Sequence, residues 1–151
     1  YIPNPDSSLT ILGTNQWNWL RKKIDQEVDF RIIVSSIQFL PIGHGWESWN
    51  NFPYERKKLI KMIDRASLNQ TLVISGDRHR GGIYKQGDLV EITSSSLNRG
   101  LSSIVETDKL LLGKTHTIHN YGIIELTNSY LNLYLKDENM NILESLEIPL
   151  K

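Results

Sequence analysis

The chain has 151 residues, the length of a single domain, and its 17 Lys and Arg balance 17 Asp and Glu to a formal net charge of zero. That balance argues against nucleic acid or an acidic membrane surface as a partner, because both select a net positive face. There is no cysteine, which excludes disulfides, thiolate nucleophiles and zinc–thiolate sites, and no apolar run reaches the roughly 18 residues of a membrane span.

Residues 1–8 hold two prolines with Asn, Asp and Ser and read as an extended entry segment. Tyr1 stands where an initiator Met would be, so the chain is expected to be a piece of something longer, a processed product being the other option, with any export leader in the missing part. Thr14 or Asn15 is placed to cap a helix whose apolar residues Trp17, Leu20, Ile24 and Val28 recur at helical spacing. Residues 31–38 form a nearly continuous apolar strand, the pattern of a strand covered on both faces. Pro41, Gly43 and Gly45 open a loop to Asn51. Pro53 suits the first position of a second helix with Leu59, Ile60, Ile63 and Ala66 inward.

Residues 71–75 are a second core strand, and strand–helix–strand order predicts parallel pairing with the first. Beyond it the period changes to hairpins. Residues 82–85 and 89–94 flank the turn pair Gly87-Asp88. Residues 97–114 read as loop with a short element around Leu110, and residues 121–126, 130–135 and 142–148 as an antiparallel meander. With no repeat, linker or low-complexity tract, residues 1–151 are read as one α/β domain.

The chemistry concentrates at Ser75-Gly76-Asp77-Arg78-His79, where a carboxylate and an imidazole follow the second strand two residues apart. Oxygen and nitrogen donors at a strand end suit a divalent or trivalent ion of the zinc, iron or manganese kind. The plain alternative is a turn, with Asp77 capping it. Ser36 and Gln38 close the first strand, where such folds carry sites, and ordinary strand-end hydrogen bonding is their other role. His44, Trp46, Glu47 and Trp49 crowd one loop, which either packs locally or meets substrate; Glu47 and Arg56 are expected to pair. His116 and His119 are three apart, the spacing of a helical metal clip, but Thr115 and Thr117 favour a strand there.

The order of these segments resembles the alkaline phosphatase D family of metallophosphoesterases. The matching stretches are Gln16-Trp17 with Trp19-Leu20, the block from Glu47 to Arg56, Ser75 to His79, Ile92 to Leu97, and Asn120-Tyr121-Gly122. The resemblance runs from about Leu12 to about Leu126 and implies the C-terminal half of an αββα metallophosphoesterase sandwich. It implies a phosphoester hydrolase of phosphatase or phosphodiesterase type, with Asp77 and His79 as metal ligands for iron, calcium, manganese or zinc. Arg78 then acts on the phosphoryl group, with Ser36, Gln38, His44, Arg80 and Asn120 as weaker substrate contacts. The resemblance implies that the early ligand motifs of such enzymes are to be expected before Tyr1. A partner is therefore expected, either an N-terminal half of the same protein or a second copy, and the isolated chain is expected to be inactive. The resemblance places the parent in the periplasm, outside the cell or on its surface. The competing expectation is a non-catalytic binding or structural domain.

Overall fold

The computed structural model describes residues 1–66, 70–100 and 106–150. Helix α1, Gly13–Ile24, starts without a side-chain cap from its own Leu12. Neither Thr14 nor Asn15 caps it, because the chain turns at Gly13 (φ +67°). Its first amides go elsewhere: the Thr10 hydroxyl accepts from Gly13 N at 2.8 Å, and the Glu55 carboxylate from Leu12 N at 3.3 Å. Trp17 and Ile24 are buried as expected, but Val28 is exposed beyond the helix end. Arg31 explains the stop. Its guanidinium donates to the carbonyls of Ile24 at 2.7 Å and Gln26 at 2.9 Å, taking acceptors that satisfy the end of the helix.

Strand β1, Phe30–Ser35, leads through a 3-10 turn at Trp49–Asn51 into α2, Pro53–Arg65, which has proline at its start. Strand β2 (Gln70–Ser75) pairs parallel with β1, as the strand–helix–strand order predicts. The hairpin of β3 (Gly81–Gln86) and β4 (Leu89–Ser94) turns at Gly87, φ +61°. Strand β5, Leu111–His116, completes the first sheet in the order β1-β2-β4-β3-β5, with β2 and β4 parallel. Strands β6 (Asn120–Leu126), β7 (Tyr130–Asp137) and β8 (Ile142–Pro149) form a separate antiparallel meander.

Two cores separate three layers. Trp17, Ile24, Phe39, Trp49, Leu59 and Val73 join the helices to one face of the first sheet. Leu72, Ile83, Val90, Ile92, Leu131 and Leu133 join its other face to the meander. Strand β1 corrects one expectation. It ends at Ser35 and lies at the sheet edge, and Ile32 and Val34 are 47% and 76% exposed rather than covered. They pair in register with Leu72 and Ile74, whose side chains pack toward the meander, so β1 overhangs its three strands. Among the described residues, no helix is long and apolar enough to cross a membrane.

Candidate functional site

A buried polar network supports the C-terminal end of β2. Glu91, in the middle of the apolar strand β4, is fully buried and accepts from Ser75 Oγ, from Phe39 N at 3.0 Å and from Leu40 N. Ser75 Oγ also lies 2.8 Å from Thr93 Oγ1, which accepts from Gln38 Nε2 at 2.9 Å. Burial pushes the Glu91 carboxyl up; the Ser75 hydroxyl, the two amides and the charge of Arg56 act against it. This network fixes two things at once: the last residue before the Gly76–Arg80 turn, and the point where the chain leaves for the 41–48 loop. Arg56 adds to the second by donating to Phe39 O at 2.9 Å and Leu40 O at 2.7 Å. It binds these carbonyls and Gln86 instead of forming the expected pair with Glu47, which lies exposed in the loop.

The turn itself is strained. Asp77 and His79 both adopt left-handed backbone, φ +69° and +50°, at a cost of roughly 1–2 kcal/mol each for residues with a Cβ. Burial alternates along it: Asp77 is exposed, Arg78 and Arg80 are buried, and His79 lies between. Arg78 is ion-paired to Glu106 and lies 5.7 Å from the Trp46 ring centroid. Arg80 approaches the same Glu106 oxygen at 3.4 Å. The 41–48 loop is held against this cluster by Asp108, whose Oδ2 accepts from Ile42 N at 2.6 Å and from Gly43 N. Gly43 is required there, since a Cβ would sit 2.3 Å from Thr107 O.

His44 is brought to the same place. Its Nδ1 accepts from Trp46 N at 3.1 Å, which leaves the ring proton of the neutral form on Nε2. Burial lowers its pKa, the charge of Arg78 lowers it further, and Glu106 and Asp108 oppose them. Among the described residues, His44 Nε2, His79 Nδ1 and Arg78 Nε are all buried without a hydrogen-bond partner. Buried polar atoms are usually paired, and the other orphans among the described residues, at Arg31, Gln38, Thr71, Tyr84 and Thr115, lie elsewhere in the fold.

The structure thus gathers His44, Arg78, His79 and Arg80, with Asp77 on the open side of the turn. Of the other sequence candidates, Ser36 and Asn120 lie against the two ends of the turn, beside Gly76 and Gly81. Ser36 is exposed just past β1, and Gln38 is buried with its amide on Thr93. Asn120 is also buried: its Nδ2 donates to Ile118 O at 2.8 Å and its Oδ1 accepts from Ser94 Oγ at 3.0 Å. It joins β4 to the meander. His116 and His119 form no clip. They face Glu144 and Glu138 respectively, each at 2.9 Å. Sequence reasoning missed Glu91, Glu106 and Asp108; of these only Glu91, a lone acid inside an apolar run, carried a local signal.

A metal ion is tested by the donors present. Asp77 offers an exposed carboxylate and His79 an unpartnered buried nitrogen on one turn, which fits part of a ligand set. Among the described residues, no group of three or more His, Cys, Asp or Glu converges. A sequence model of PhoD-like phosphatases matches residues 3–125. The chain belongs to the PhoD-like phosphatase family. Alkaline phosphatase D of Bacillus subtilis (strain 168) is 23% identical, over 71% of this chain and 22% of its own. The solved structure of PhoD superposes with a TM-score of 0.74 at 16% identity, covering 98% of this chain and 34% of that one. GAP50, the anchor in the inner membrane complex of Plasmodium, gives 0.74 at 18% identity, covering 91% and 42%. At these identities the two superpositions show a shared fold. The chain spans about a fifth of the curated relative and a third of the PhoD structure.

Proposed function

We propose that this chain forms the clamp-bearing and ligand-turn portion of a metal-dependent phosphoester hydrolase. The observation that carries the reading is the orphaned Nδ1 of His79 beside buried Arg78 at the end of β2, in a chain of phosphatase family. Asp77 and His79 would hold one edge of a divalent or trivalent ion, of the iron, calcium, manganese or zinc kind. Such an ion supplies Lewis-acid charge to the phosphoryl group. Arg78 binds a phosphoryl oxygen and keeps its charge in a dry setting, where it offsets the negative charge that spreads in the transition state. Neutral His44 presents an N–H donor to the same space. The Glu91 network holds the turn and the loop at fixed separation, so that clamp and ligands stay in register.

The remaining ligands are to come from further chain, packed on the bare face and free edge of β1; a second copy of this chain is the other candidate. On this reading the isolated chain turns over little or no ester. We also infer a parent that works in the periplasm, outside the cell or on its surface. The test uses the intact parent. His79→Ala should lower bound metal and abolish hydrolysis of p-nitrophenyl phosphate, whereas His116→Ala, which loses only a Glu144 contact, should do neither. Full activity of His79→Ala overturns the ligand assignment, and a wild-type parent without turnover overturns the enzyme.

A further inference from the structure

We propose that Glu106 is a specificity-determining residue that favours phosphodiesters over phosphomonoesters at the Arg78 clamp. The proposal rests on the phosphoester hydrolase reading and concerns the same site. One oxygen of Glu106, Oε1, faces both Arg78 Nη2 and Arg80 Nη1, and all three side chains are less than a tenth exposed. Arg78 Nη2 and Nε lie on the same edge of the planar guanidinium, the edge that grips a carboxylate or phosphate with two parallel bonds. Glu106 takes Nη2 and leaves Nε buried without a partner among the described residues. The edge is half used, with a negative charge fixed beside the donor that remains.

That arrangement has a charge preference. The remaining Nε–H donates to one oxygen of a substrate, which must sit close to the Glu106 carboxylate. A monoester is largely dianionic above about pH 6, whereas a diester carries a single charge. In a setting stripped of water, the second charge meets repulsion that bulk solvent would have screened. Repulsion of the wrong ligand is a common source of selectivity. Trp46 points the same way. Its indole lies over the guanidinium and is 55% exposed, so swinging it aside opens the edge and offers an apolar surface to a second ester group.

The intact parent is assayed for kcat/KM on bis-p-nitrophenyl phosphate and p-nitrophenyl phosphate, as wild type, Glu106→Gln and Glu106→Asp. The ratio of the two values within one preparation does not depend on how much of it is folded. Glu106→Gln should shift that ratio toward the monoester by about tenfold, while Glu106→Asp, which keeps the charge, holds it within about twofold. A ratio unmoved in Glu106→Gln, or moved equally in Glu106→Asp, overturns the proposal. Calorimetric binding of diethyl phosphate and inorganic phosphate to the wild type gives a readout without turnover. Inorganic phosphate should weaken relative to diethyl phosphate as it gains its second charge with rising pH; no such divergence also overturns the proposal. If the parent hydrolyses neither ester, the hydrolase reading fails, and the same binding series repeated on Glu106→Gln still decides the role of Glu106.

Discussion

The indole Nε1 of Trp17 donates to the Glu55 carboxylate, joining the first helix to the first turn of the second across 38 residues of chain. The same carboxylate accepts from Thr10 Oγ1 and from the amides of Ile11 and Leu12, so one buried acid caps α1 from outside. Both residues belong to the stretches through which the sequence resembles its family. Their role here is to hold the helix layer together, and Arg56 next to Glu55 clamps the start of the 41–48 loop. Part of the family pattern therefore reports on scaffold rather than on chemistry.

Glu55→Gln should destabilise the chain by about 1–3 kcal/mol, because it replaces a fourfold acceptor with a group carrying its own donors. Burial raises the Glu55 carboxyl, but its four donors outweigh this and hold it below the ordinary value. A depressed folded pKa contributes stability above the unfolded value that is lost as pH falls through the folded one. Urea unfolding at about pH 6 and about pH 3 should show that loss in the wild type and a smaller one in Glu55→Gln. Equal losses in the two proteins would remove Glu55 from the acid response.

Much of the frame was legible because its signals are local: Pro53 at a helix start, Gly87-Asp88 between two apolar runs, alternation through the meander. Helix α1 ended early for a reason the spacing of Val28 does not contain, since Arg31 had to fold back onto Ile24 and Gln26. Strand β1 read as a covered strand because an apolar run does not say what will cover it. The clamp was half visible. Arg78 and His79 sit on a motif, but Glu106, 28 residues away, reaches Arg78 only through the fold, and Glu91 reaches Phe39 across 52.

His44 should titrate below its ordinary value of 6.5, since burial and then the Arg78 charge disfavour its cation. Glu106 opposes that shift, so Glu106→Gln should lower the midpoint further, while Arg78→Met should raise it toward normal. Nitrogen-15 imidazole NMR of the metal-free protein follows both midpoints and reports which ring nitrogen carries the proton. A wild-type midpoint above 6.5, or a proton on Nδ1, would show that the loop does not seat His44 against Arg78 as described.

The isolated 151-residue chain should not remain a clean 17.4 kDa monomer. Strand β1 sits at the end of its sheet with one edge unpaired among the described residues, and Ile32 and Val34 lie bare on the face that the meander leaves uncovered. Apolar surface beside an open strand edge recruits another chain, and natural edge strands avoid this with charges, lysine above all. Val34 is 76% exposed, so Val34→Lys should change thermal stability by no more than about 0.5 kcal/mol while suppressing association. Light scattering of both proteins, before and after adding the remainder of the parent chain, separates the outcomes. Association lost in Val34→Lys and displaced by that remainder assigns β1 as the seam between the two parts. A stable wild-type monomer would mean that β1 is finished as it stands, and would remove it as the proposed seam.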